Sequence, residues 1–188
     1  MSAPPDNGVP PDFLQACERL GVPLTRLLLV VRVADQSTTL FDRCAPATVR
    51  QSYQLRNRYC CSTSKFGLGQ VAGSNGTPLG LHRIAEKHGG GAPAGTVFKA
   101  RKPIGTLADG LPLESITTRI LWLEGLDPGF NRGGTVDTFA RYIYIHGFGD
   151  QASIGRPASH GCIHLADADL IPLYDELPVG TLVWIAER

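Results

Sequence analysis

The longest apolar run along this chain, LLLVV at 27–31, has strand length, far short of a membrane span. LLLVVRVADQSTTLFDR, 27–43, predicts two strands around an ADQS turn. QSYQLRNRYCCST, 51–63, ITTRILWLEGL, 116–126, and TLVWIAE, 181–187, predict further strands. RYIYIHG, 141–147, alternates cleanly, with Tyr142, Tyr144 and His146 on one face and Ile143 and Ile145 on the other. Only two segments carry a helical stripe. PDFLQACERLG, 11–21, places Phe13, Ala16, Cys17 and Leu20 on one side and stops at Gly21. ADADLIPLYDELPVG, 166–180, does the same with Leu170, Leu173, Tyr174 and Leu177.

Between these elements lie stretches that read as loop. KFGLGQVAGSNGTPLG, 65–80, GGGAPAG, 89–95, and DPGFNRGGTVD, 127–137, are the longest, and LHRIAEKH, 81–88, takes no assignment. Long irregular segments inside a compact domain usually serve a site. The 22 glycines and 14 prolines fit a mainly β chain with one N-terminal and one C-terminal short helix. With 188 residues the chain has room for one domain, read as 25–188, preceded by an extension over 1–24 whose Pro-rich first 11 residues read as poorly ordered. The hydrophobic fraction, 43%, and the charged fraction, 19%, are ordinary for a globular protein. A net charge of +1 points to neither a nucleic acid nor a membrane partner. The start, MSAPPDNGVPPDFLQACERL, has no basic and apolar leader, so the expected location is cytoplasmic, or periplasmic if export follows a route the sequence hides. Five cysteines without a CxxC spacing read as free thiols, most of them small buried hydrophobes; the sequence leaves the oligomeric state open.

The chemistry concentrates in PASHGCIHL, 157–165. His160, Cys162 and His164 stand at alternate positions, and an extended backbone would turn all three to one face, as a zinc site needs. Gly161 beside the cysteine argues instead for a tight turn. The other reading is a thiol nucleophile, an imidazole base and backbone N–H groups for an oxyanion. Small residues at 158–161 leave such donors accessible, and His146 and His160 are both candidate bases. No metal or other cofactor is expected on this reading.

These residues also resemble a known family. HGFGDQASIGRPASHGCIHL, 146–165, is similar to the signature of the L,D-transpeptidase (YkuD-type) catalytic domain: His-Gly, a spacer, then Ser-His-Gly-Cys and an aliphatic residue. GTPLGLHRI, 76–84, resembles the family's TP-x-G element, with His82 where an aromatic residue often stands, and DADLIPLYDELPVGTLVWI resembles its closing helix and strand. The likeness runs from about Leu27 to Ile185.

The resemblance implies a curved β-sandwich or barrel around a catalytic cysteine loop. It implies that Cys162 is the nucleophile, that His146 is the base, and that the Gly147 carbonyl holds the imidazole. Backbone N–H groups of Gly161 and Cys162 would form the oxyanion hole. Ser159, His160, His164, Tyr144 and Arg156 would shape the loop or meet substrate. His164 stands where the family usually has Arg or Asn, and Arg156 or Arg132 is a candidate for the missing charge. The implied partner is a peptidoglycan stem peptide or muropeptide, and the implied bond joins the diamino acid at position three to D-Ala. Hydrolysis would make the protein an L,D-carboxypeptidase of peptidoglycan turnover. Transfer to an amine would make it a crosslinking or protein-attaching transpeptidase. A binding module with an inert cysteine is a third reading, separable from the others because carbapenems typically acylate the family's cysteine.

Overall fold

Strand β1 (Leu27–Arg32) shows why the run at 27–31 lacks alternation. In the computed structural model, which describes residues 8–43 and 53–188, β1 is buried along its whole length. Leu27, Leu29 and Val31 enter one core; Leu28 and Val30 enter a second core on the opposite face. A strand covered on both sides needs apolar residues at every position. Helix α1 (Pro11–Leu20) supplies the second cover, entered through Pro11 and ended at Gly21 with φ 63°. Its Phe13 is fully buried and meets Tyr53 and Trp184 edge-on at 6.1 and 6.2 Å. Burial of that ring contributes about 2–3 kcal/mol.

The remaining strands are β2 (Ser37–Arg43), β3 (Tyr53–Ser62), β4 (Gly80–His88), β5 (Thr96–Lys99), β6 (Lys102–Thr106), β7 (Ile116–Gly125), β8 (Tyr144–Phe148), β9 (Ile163–Leu165) and β10 (Leu182–Ala186). They form one sheet in the order β4-β10-β1-β2-β3-β9-β8-β7-β5-β6. An additional pairing of β4 with β7 closes the first eight of these into a barrel, and the β5–β6 hairpin extends from the same edge of β7. The mainly β, curved fold expected from the sequence is therefore present. Helix α2 (Asp167–Glu176) follows β9, and its Leu170, Leu173 and Tyr174 pack with Leu177 into the first core, as its stripe predicts. Among the described residues no helix is long and apolar enough to cross a membrane. Cys44, the first residues of the Pro-rich extension and the start of the 51–63 prediction lie outside the described residues.

The structure departs from the sequence reading at β4 and at the start of β8, and β5, β6 and β9 fall where no strand is predicted. LHRIAEKH, left unassigned, is most of β4, held between β10 and β7. Its side chains alternate only weakly because the register with β7 shifts between Ile84 and Glu86. The strand predicted over 141–147 begins only at Tyr144. Tyr142 has φ 57°, a left-handed conformation that bulky residues rarely adopt, and the chain leaves the sheet there. Backbone bonds from Arg141 N to Asp137 O (3.0 Å) and from Tyr142 N to Phe139 O (3.0 Å) show the preceding turn competing with the ladder.

Candidate active site

Parallel pairing of β8 with β9 assembles the site. His146 lies opposite His164 in that register, and Ile145 opposite Ile163. Ile145 and Ile163 enter the first core, so His146 and His164 share the other face. Cys162, just ahead of β9, packs on that same face with Tyr144, Trp122, Ile120 and Phe98. Cys162 and His146 are thus diagonal neighbours across one ladder. The thiol itself lies along Tyr144: Sγ donates to Tyr142 O at 3.5 Å and accepts from Tyr144 N at 3.4 Å. Burial pushes the thiol up to about 11, opposed by the Tyr144 N–H and the Arg141 charge.

His146 donates from Nδ1 to its neighbour's carbonyl, Gly147 O, at 2.7 Å, which leaves Nε2 as the basic nitrogen. Burial lowers its pKa to about 4, so the imidazole is neutral at pH 7. Gly147 is a steric requirement. A Cβ there would stand 2.7 Å from Asp167 Oδ1 and 2.8 Å from Thr117 O. His164 is buried between rings, 4.6 Å from His146 and stacked on Phe148 at 4.2 Å, and its Nδ1 has no partner among the described residues. Burial, with His146 and His160 nearby, lowers it to about 2. The position is thus built for a neutral ring.

The loop before Cys162 is held by small polar groups. Ser159 Oγ donates to Cys162 O at 2.6 Å and accepts from Gly161 N at 3.1 Å. That bond engages the Gly161 N–H expected in the oxyanion hole. Gly161 takes φ 122°, and a Cβ on it would meet Ile143 Cδ1 at 3.1 Å and Gly76 O at 3.2 Å. Thr77 Oγ1 donates to Gly161 O at 3.1 Å, and Lys65 N donates to Ser159 O at 3.0 Å, so the glycine-rich 65–80 stretch is the wall beside the cysteine loop.

Arg141 went unremarked in the sequence because it precedes an alternating run. It donates to Gly69 O (2.9 Å), Gln70 O (2.8 Å), Gly76 O (2.7 Å) and Ser74 Oγ (3.4 Å). Its guanidinium lines a cavity of about 180 Å³ with Asn75, Asp137, Ile143 and His160. His160 is exposed there, 5.4 Å from the Phe66 ring. Among the described residues no three His, Cys, Asp or Glu side chains gather as a metal site needs. Arg156 and Arg132, the cations considered from sequence, are both exposed and outside the lining of this cavity. Arg141→Lys retains charge but loses the fork. It should destabilise the fold by about 2–4 kcal/mol in chemical denaturation, each charged hydrogen bond contributing roughly 1.5–3.

A thiol, a neutral imidazole held at Nδ1 and the backbone N–H groups of the cysteine loop are the groups that acyl transfer draws on. Comparisons with known proteins bear on the fold that carries them. The structure of Bd1075 from Bdellovibrio bacteriovorus superposes with a TM-score of 0.56 at 15% identity, covering 88% of this chain and 49% of that one. The L,D-transpeptidase of Xylanimonas cellulosilytica gives 0.51 at 16% identity, over 92% and 68%. LdtMt1, solved in complex with imipenem, gives 0.50 at 18%, over 86% and 59%. The chain thus spans about half to two thirds of these structures' length, and no curated protein matches it by sequence. The family model described as "YkuD: L,D-transpeptidase catalytic domain" matches residues 27–185, from β1 through the His146 and Cys162 ladder to β10, and the chain belongs to that family.

Proposed function

We propose that this protein is a cysteine-dependent peptidoglycan enzyme that removes the terminal D-alanine from stem tetrapeptides, as an L,D-carboxypeptidase. One observation carries the reading: Cys162 and His146 lie on the same face of the β8–β9 ladder, with the base already neutral. Rotation of the thiol away from Tyr142 O brings its proton towards His146 Nε2. Catalytic hydrogen bonds often tighten only when substrate arrives. The sulfur then bonds the carbonyl carbon at position three, the C–N bond breaks, and His146 hands the proton to the departing amine. Water, deprotonated by the same imidazole, releases the acyl group.

Arg141 fixes the glycine-rich wall beside the cysteine loop.

Incubation with disaccharide tetrapeptide, with and without excess acceptor, tests the proposal by mass. The expected product has lost one D-alanine in both cases. A crosslinked dimer would replace hydrolysis with transpeptidation, and unchanged substrate would reject both. Imipenem should add one covalent mass to the wild-type protein and none to Cys162→Ala; an unreactive wild type would favour a binding module.

A further inference from the structure

The two arginines near the thiol differ in what their donors do. Arg141 spends four hydrogen bonds on the loop wall and has little left for a ligand. Arg101 makes one, to Tyr144 Oη at 3.3 Å. It sits at the tip of the β5–β6 hairpin, where Ala100 and Arg101 both take left-handed φ values, 48° and 67°. Paired left-handed residues make a turn that matches strand twist and resists rearrangement. The guanidinium lies 4.5 Å over Trp122, whose other face is stacked on Phe139 at 3.9 Å and 4°. The Tyr142 ring, 54% exposed, stands 5.6 Å away on the open side. Stacking on an aromatic face fixes the plane of a guanidinium and leaves its N–H edge free to fork onto a carboxylate.

No carboxylate takes that edge among the described residues. Glu86, the acid within electrostatic range of Arg101, is paired with His88 at 3.0 Å. The platform also reaches the thiol. Tyr144 receives Arg101 at its hydroxyl and donates its backbone N–H to Cys162 Sγ. Trp122 and Tyr144 both belong to the cluster on which Cys162 packs.

We propose that Arg101, held on the Trp122–Tyr142 platform, is a carboxylate-binding subsite for the free C-terminus of the residue that leaves when Cys162 is acylated. This rests on the carboxypeptidase reading and names what restricts it to chain ends. A peptide continuing past the scissile bond would present a neutral amide to the guanidinium. An unpaired charge facing a neutral group forfeits the stronger, charge-assisted bond.

The experiment compares a tetrapeptide ending in D-alanine with the same peptide ending in D-alanine amide, for wild type, Arg101→Gln and Arg101→Lys, all as full chains. Wild type should favour the acid by about tenfold to a hundredfold in kcat/KM. Arg101→Gln should bring that ratio close to one, and Arg101→Lys should recover part of it. Equal loss on both peptides with the ratio intact would make Arg101 merely structural, and a wild-type ratio near one would remove the subsite. Calorimetry of both peptides on Cys162→Ala, with and without Arg101→Gln, separates the two proposals. Acid-selective binding lost with Arg101→Gln, together with a wild type that releases D-alanine from neither peptide, sustains the subsite and rejects the carboxypeptidase. Turnover of both peptides at equal rates does the reverse.

Discussion

Replacing Cys162 by alanine should reduce D-alanine release by a factor on the order of 10⁴–10⁶, the range for losing a nucleophile that acts as a unit with its base. The melting temperature should barely move. The side chain is small and half-buried, and its two bonds to Tyr142 O and Tyr144 N, at 3.5 and 3.4 Å, are weak. Turnover surviving near the wild-type rate would end the nucleophile assignment. The resting protonation state has its own signature. Burial holds the thiol near 11 and the imidazole near 4, so both are neutral at pH 7. Labelling of Cys162 by a neutral alkylating reagent should therefore keep rising with pH towards 11. A rate already flat at neutral pH would mean a preformed thiolate–imidazolium pair.

Acid should unfold this protein through its buried histidines. His82 and His146 both fall to about 4, and His164 to about 2, each chiefly because burial disfavours the charged ring. A histidine whose folded pKa is lowered binds its proton more readily when unfolded. Its stabilising contribution is complete above the unfolded pKa, about 6.5, and is lost as pH falls towards the folded value. Each such ring removes about 1.4 kcal/mol per pH unit across that window, or about 3 kcal/mol apiece for His82 and His146 by pH 4. Against a usual total of roughly 5–15 kcal/mol, denaturant midpoints should be level from pH 7 to 8 and fall steeply from about 6.5 to 4. A flat profile across that window would show that these rings titrate without unfolding the chain. His82 explains why the penalty is unavoidable. Its Nδ1 donates to Gly80 O at 2.9 Å and its Nε2 accepts from Thr138 Oγ1 at 3.1 Å, so the neutral tautomer is fully used inside the barrel.

Much of this was legible before any coordinates. Apolar runs of strand length marked the strands at 27–43 and 116–126, and helical stripes marked α1 and α2, because burial leaves an apolar imprint. Strand β4 left none, since its register shift with β7 breaks the alternation. The false start at 141 arose because Arg141-Tyr142 continues the polar–apolar rhythm of β8 although Tyr142 turns out of the sheet at φ 57°. Cys162, His146 and the residues around them were visible as chemistry because reactive side chains crowd a short stretch.

By itself, the order of residues determined which groups could react and where most elements run. Only the closed barrel decided the rest. It set His164 as a neutral ring between His146 and Phe148, engaged the Gly161 N–H with Ser159, turned Arg141 into a loop clamp and laid Arg101 on Trp122. Each of these depends on contacts between segments far apart in the chain, where distance and burial, not composition, assign a charge its partner.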